Sequence, residues 1–84
     1  MIDRLATALS LLGGSVYCKE YYNIAVRYEG VCIELSLGKD NILLAELTGD
    51  EIFTGGKHLL KALNFLGYAY QTDCMVQFEI INNN

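Results

Sequence analysis

The chain has no proline, no tryptophan and a single histidine, His58. The missing proline bears on no function. One histidine rules out a paired acid–base set built on imidazoles, and a Cys–His nucleophile would lack an evident orienting acid. Three cysteines, Cys18, Cys32 and Cys74, form an odd set without close spacing. A disulfide framework wants an even number, and a zinc ribbon wants Cys-x-x-Cys pairs. Zinc held by the three thiols and His58 is arithmetically possible. The alternation around Cys32 turns it outward, however, and Cys74 is expected inward, so convergence is not expected. No metal and no cofactor is predicted. Reduced thiols point to the cytoplasm.

Long apolar runs are also missing. None approaches the roughly 20 residues that span a bilayer. Arg4 precedes a short apolar segment, Leu5 to Leu12, but Asp3 and Tyr17 sit badly for an export signal. Basic residues are scarce, six against ten acids, for a net charge of −4. That balance argues against direct nucleic-acid binding, which needs clustered Lys and Arg to displace counterions. It argues equally against an anionic membrane surface. It suits a partner that carries a basic groove.

What is present is a strong period-two pattern. Ile24, Val26 and Tyr28 alternate with Ala25, Arg27 and Glu29, and after Gly30 the residues Val31, Ile33, Leu35 and Leu37 alternate with Cys32, Glu34 and Ser36. This is the signature of strands with one face on a core. Glu29-Gly30 between them suits a two-residue hairpin turn. The turn pairs Tyr28 with Val31, Val26 with Ile33 and Ile24 with Leu35, which places every apolar pair on one face.

The flanks complete an α+β plan over residues 1–84, read as one small domain. Residues 2–12 show helical spacing in Ile2, Leu5, Leu9 and Leu12, ending at Gly13-Gly14. Ser15 to Tyr22 reads as a strand whose tyrosines 17, 21 and 22 cannot share one face. Gly38 to Asn41 is a turn, and Ile42 to Leu47 a further strand. Of its two registers, the one burying Leu43, Ala45 and Leu47 is favoured, because the other buries Glu46 unpaired at a cost of several kcal/mol. Ile42 and Leu44 are then left outward. Thr48 and Glu51 have capping-box spacing, which would start either one long helix or a single turn interrupted at Gly55-Gly56. Two glycines at 55 and 56 cost about 1 kcal/mol each inside a helix, so the second helix is expected to begin near Gly56 and to end at Gly67. Strand then returns from Tyr68 to Tyr70 and from Cys74 to Ile81. The plan is N-terminal helix, three- to four-stranded antiparallel meander, second helix and C-terminal strand, with both helices on one sheet face.

Apolar residues make up 52% of the chain, a surplus for a small domain with a large surface-to-volume ratio. An unspent apolar surface suggests a partner or an oligomer. Asp40, Glu46, Asp50 and Glu51 form a stretch of acids with no intervening base. With outward Ile42 and Leu44, and with Tyr21 and Tyr22, they compose the candidate partner-binding residues. No catalytic set assembles, so the expectation is a non-enzymatic acidic protein-binding module. A phage or mobile-element inhibitor of a host nucleic-acid-processing enzyme, of the anti-CRISPR or anti-restriction kind, fits that description. The alternative is a homo-oligomeric accessory domain, with a homodimer built on strand edges or on Ile42 and Leu44. A third reading is a small-anion or nucleotide site at Gly55-Gly56, Lys57 and His58, where a helix start would offer free amides. The full phosphate-loop pattern is absent there.

Overall fold

The computed structural model describes residues 1–19 and 23–81, leaving the side chains of 18 and 19 aside. Its elements in chain order are α1 (Ile2–Leu11), β1 (Ser15–Lys19), β2 (Asn23–Tyr28), β3 (Val31–Leu37), a short 3-10 turn (Lys39–Asn41), β4 (Ile42–Gly49), α2 (Ile52–Leu66), β5 (Ala69–Thr72) and β6 (Gln77–Ile81). The fold is α+β. All strand pairs are antiparallel, in the order β1-β2-β3-β4-β6-β5.

The central hairpin forms as its alternation demands, with Tyr28 opposite Val31, Val26 opposite Ile33 and Ile24 opposite Leu35. Gly30 takes the positive φ of the turn, +81°. β4 adopts the register that keeps Glu46 in water: Leu37 faces Leu43, Leu35 faces Ala45 and Ile33 faces Leu47. Leu43, Ala45 and Leu47 are buried with Leu5, Leu9, Leu59, Leu63, Phe78 and Ile80 in one core between the sheet and the two helices. The helices therefore cover one face of the sheet. β1 carries a bulge between Val16 and Cys18, which takes one residue out of the alternation; Tyr21 and Tyr22, which the sequence placed on the same strand as Tyr17, lie outside the described residues.

Four expectations need correction. The sheet has six strands among the described residues, against three or four in the meander and one at the end. The C-terminal segment is a hairpin, and its second strand inserts between β4 and β5. Cys74 is exposed in the turn of that hairpin, not inward on a strand that begins there. Lastly, α2 begins at Ile52 and passes straight through both glycines. The glycine cost is real, but the contact outweighs it. A Cβ on Gly55 would lie 2.7 and 2.9 Å from the two Val31 methyls, so glycine is what lets the helix lie this close to β3. The capping box is not formed either: Thr48 remains in β4, and Glu51 is the N-cap without a side-chain cap bond.

Candidate functional site

The face of the sheet turned away from the helices is open, and strand register determines what it displays. Residues directly opposite one another share a face, so the open face reads as four rows. The first row runs Ser15, Arg27, Cys32, Thr48. The second runs Ala25, Glu34, Glu46, Gln77. The third runs Asn23, Ser36, Leu44, Glu79, Gln71. The fourth is Ile42, Ile81, Ala69. The middle two rows floor a concave trough of about 620 Å³, walled by Tyr17 on one side and by Asp73 and Cys74 of the β5–β6 turn on the other. Ala25 is buried even on this face, and lines the trough.

The electrostatics are one-sided. Glu34 and Glu46 stand directly opposite each other, an arrangement that destabilises a sheet when charges match. Glu46 accepts a 3.0 Å hydrogen bond from the Gln77 amide. Glu34 and Glu79 have no hydrogen-bond or ion-pair partner among the described residues. The nearest base in the rows, Arg27, lies over the Tyr17 ring at 4.9 Å from its centroid. Tyr17 and Cys32 share a 3.2 Å hydrogen bond, which pushes the phenol above its ordinary value of 10.0. The trough thus presents carboxylates as acceptors, amides as donors, and one central apolar side chain, Leu44, which is 41% exposed.

The candidate residues divide. Ile42, Leu44 and Glu46 come together on the open face, with Ile81 beside Ile42. Asp50 and Glu51 do not join them. They follow the far end of β4, about 27 Å along the strand from Ile42 at ~3.4 Å per residue. Glu51 is tied there by its backbone N–H, which donates to the Gly30 carbonyl at 2.9 Å. Asp40 sits in the 3-10 turn that leads into Ile42, outside the four rows. Tyr21 and Tyr22 lie outside the described residues. Sequence reasoning missed Glu34, Glu79 and Gln77 as members of one site. Glu34 was legible as outward-facing, but its neighbours were not, because the β4–β6 pairing joins strands separated by a helix.

The residues proposed for an anion site are otherwise employed. Gly55 and Gly56 are buried inside α2, and the Gly55 N–H donates to the Glu51 carbonyl at 2.9 Å. A free-amide cradle is therefore not formed at that point. Lys57 lies over the Phe53 ring. His58 stacks on Tyr28 at 4.2 Å between centroids and 2° between planes. Among the described residues, no three of His, Cys, Asp and Glu converge as metal ligands would. No described helix is long and apolar enough to cross a membrane. No family model matches the chain, and neither curated proteins nor solved structures gave a match.

Proposed function

We propose that this chain is a small acidic protein-binding module, not an enzyme, whose open sheet face captures a basic segment of another protein. The observation that carries this reading is the trough itself: carboxylates at positions 34, 46 and 79 around an exposed Leu44, with no base neutralising them among the described residues. A concave acidic surface fits a convex cationic element. The partner's contribution is therefore a basic ridge, such as a helix, in place of a basic groove. Nucleic-acid-processing enzymes carry such elements, because a recognition helix must enter a major groove about 12 Å wide. The span from β2 to β6 is three strand spacings, roughly 14 Å, which suits a helix equally well. An inhibitor of that class, as phages and mobile elements deploy, would occupy the element in place of DNA or RNA.

The test uses wild-type protein and the double variant Leu44→Ala/Glu46→Lys as matched baits in lysate of the native host. Both side chains are exposed, so the variant should melt within about 1 kcal/mol of wild type. The expected outcome is a cationic protein retained by wild type, lost with the variant, and released by salt as a screened charge contact must be. Identical retention by both baits would remove the trough from the reading.

A further inference from the structure

The helix layer carries the counterpart of the trough. α2 has no acidic residue. Phe53, Lys57, Lys61 and Phe65 are all exposed and each is four residues from the next, so they form one ridge of neighbouring side chains that winds about 40° around the helix at each step. Phe53 and Phe65 are 67% and 81% exposed, and Leu11 of α1, at 79%, shares a groove with Phe65. These three are the most exposed large apolar side chains described. Solvent-facing apolar side chains clustered with cations on one ridge are unlike the acid-rich remainder of the surface, and such clusters mark contact sites.

We propose that the α2 ridge of one copy lies along the open-face trough of a second copy. The repeats match. Four residues of helix advance about 6 Å, and two residues of strand, one row of the open face, advance about 6.8 Å. Aligned with the strands, the ridge puts Phe53 over the Arg27 row, Lys57 over Glu34 and Glu46, Lys61 over Glu79, and Phe65 over Ile42 and Ile81. Each contact is complementary in kind: ring on guanidinium, ammonium on carboxylate, ring on aliphatic. Glu34 and Glu46, which repel each other within one chain, gain a shared cation. Ridge and trough lie on opposite layers of the molecule, so a copy whose trough is filled still offers its ridge. Association is head-to-tail and continues past a dimer.

This assembly occupies the trough assigned above to a partner, so the two exclude each other, yet they are separable by experiment. Sedimentation of the full chain should show average mass rising beyond the dimer with concentration, and falling between about 0.05 and about 0.5 M salt. Glu34→Lys/Glu46→Lys and Lys57→Glu/Lys61→Glu should each weaken association at least about tenfold. Mixing the two should restore it, because each variant's ridge then matches the other's trough. Circular dichroism of each variant alone confirms that it is folded. Wild type monomeric at every concentration overturns the proposal. So does loss of association in the ridge variant only, which would mean a ridge-to-ridge dimer. Flotation of a monomeric wild type with phosphatidylserine vesicles would reassign the ridge to a membrane surface. The Lys57→Glu/Lys61→Glu variant keeps its trough intact. Partner retention by that monomer therefore tests the functional reading whether or not the self-assembly holds.

Discussion

The two faces of this sheet ask opposite things of neighbouring residues. Leu43 and Leu44 are adjacent in sequence and identical in chemistry, yet Leu43 is fully buried under the helices while Leu44 is 41% exposed in the trough. At the centre of the closed face Val26, Ile33, Leu35, Leu43, Leu47, Phe78 and Ile80 are apolar and buried, and the cost of change is set by packing. The open face mixes three carboxylates, two glutamines, a cysteine and a leucine, and the cost of change there is set by charge and by whatever docks. A side chain's contribution thus follows from which way the pleat turns it. Replacing each leucine by alanine measures the contrast. Leu43→Ala should lose about 2–5 kcal/mol, the transfer of the side chain plus the cavity left behind. Leu44→Ala should lose less than about 1 kcal/mol, because water already reaches the site. Urea unfolding checks both. Comparable losses would mean that the open face is covered in the free protein.

The contrast also explains how far the sequence could be read. The hairpin at 24–37 and the register of β4 were legible, because period-two alternation and a short turn leave one arrangement that buries no lone carboxylate. Leu44 and Glu46 were placed on the open face by that same argument. The start of α2 was not legible: local propensity counts the glycine cost, whereas the compensating contact with Val31 exists only once the sheet has formed. Nor was the insertion of β6 between β4 and β5, since a pairing made across a helical connection leaves no local trace. That omission hid most of the site. Asp50 and Glu51 were grouped with Ile42 by nearness in sequence, but an extended strand sends near neighbours to opposite ends of a sheet, while register brings Glu79 beside Leu44.

Two tyrosines sharpen the comparison on the closed side. Tyr28 donates its hydroxyl to the Leu9 carbonyl at 2.6 Å, while the Tyr68 hydroxyl is buried without a partner among the described residues. The same deletion should therefore have opposite signs. Tyr28→Phe should destabilise by about 1 kcal/mol, the net value of a hydrogen bond. Tyr68→Phe should stabilise by a similar amount, about 1 kcal/mol, by removing an unpaid desolvation cost. Burial raises the Tyr28 phenol above its ordinary 10.0, so the folded state holds this proton more tightly than the unfolded chain. Stability from that source is complete below the unfolded value and lost as pH climbs through the folded one. Tyr28→Phe should flatten this alkaline loss, as melting temperature against pH will show. A destabilised Tyr68→Phe would mean that its hydroxyl has a partner in solution.

The smallest effect concerns the open face, and it decides whether the trough is strained when empty. Glu34 and Glu46 face each other directly, and the Gln77 amide reaches only Glu46. Glu34→Gln removes one of two like charges from a solvated cross-strand pair and leaves the polar surface intact. Such pairs are worth roughly 0.2–1 kcal/mol, so the variant should be more stable than wild type by that margin at low salt. The gain should shrink as salt rises, because exposed charges a few ångströms apart are screened only in part at about 0.1 M but strongly near 1 M. Chemical denaturation by urea, which is uncharged, resolves the difference at both ionic strengths. A stabilised variant with weaker binding of a cationic segment would show the face trading stability for capture. If Glu34→Gln is neutral at every salt concentration, the opposed carboxylates cost nothing, and the trough has no repulsion for an incoming lysine to relieve.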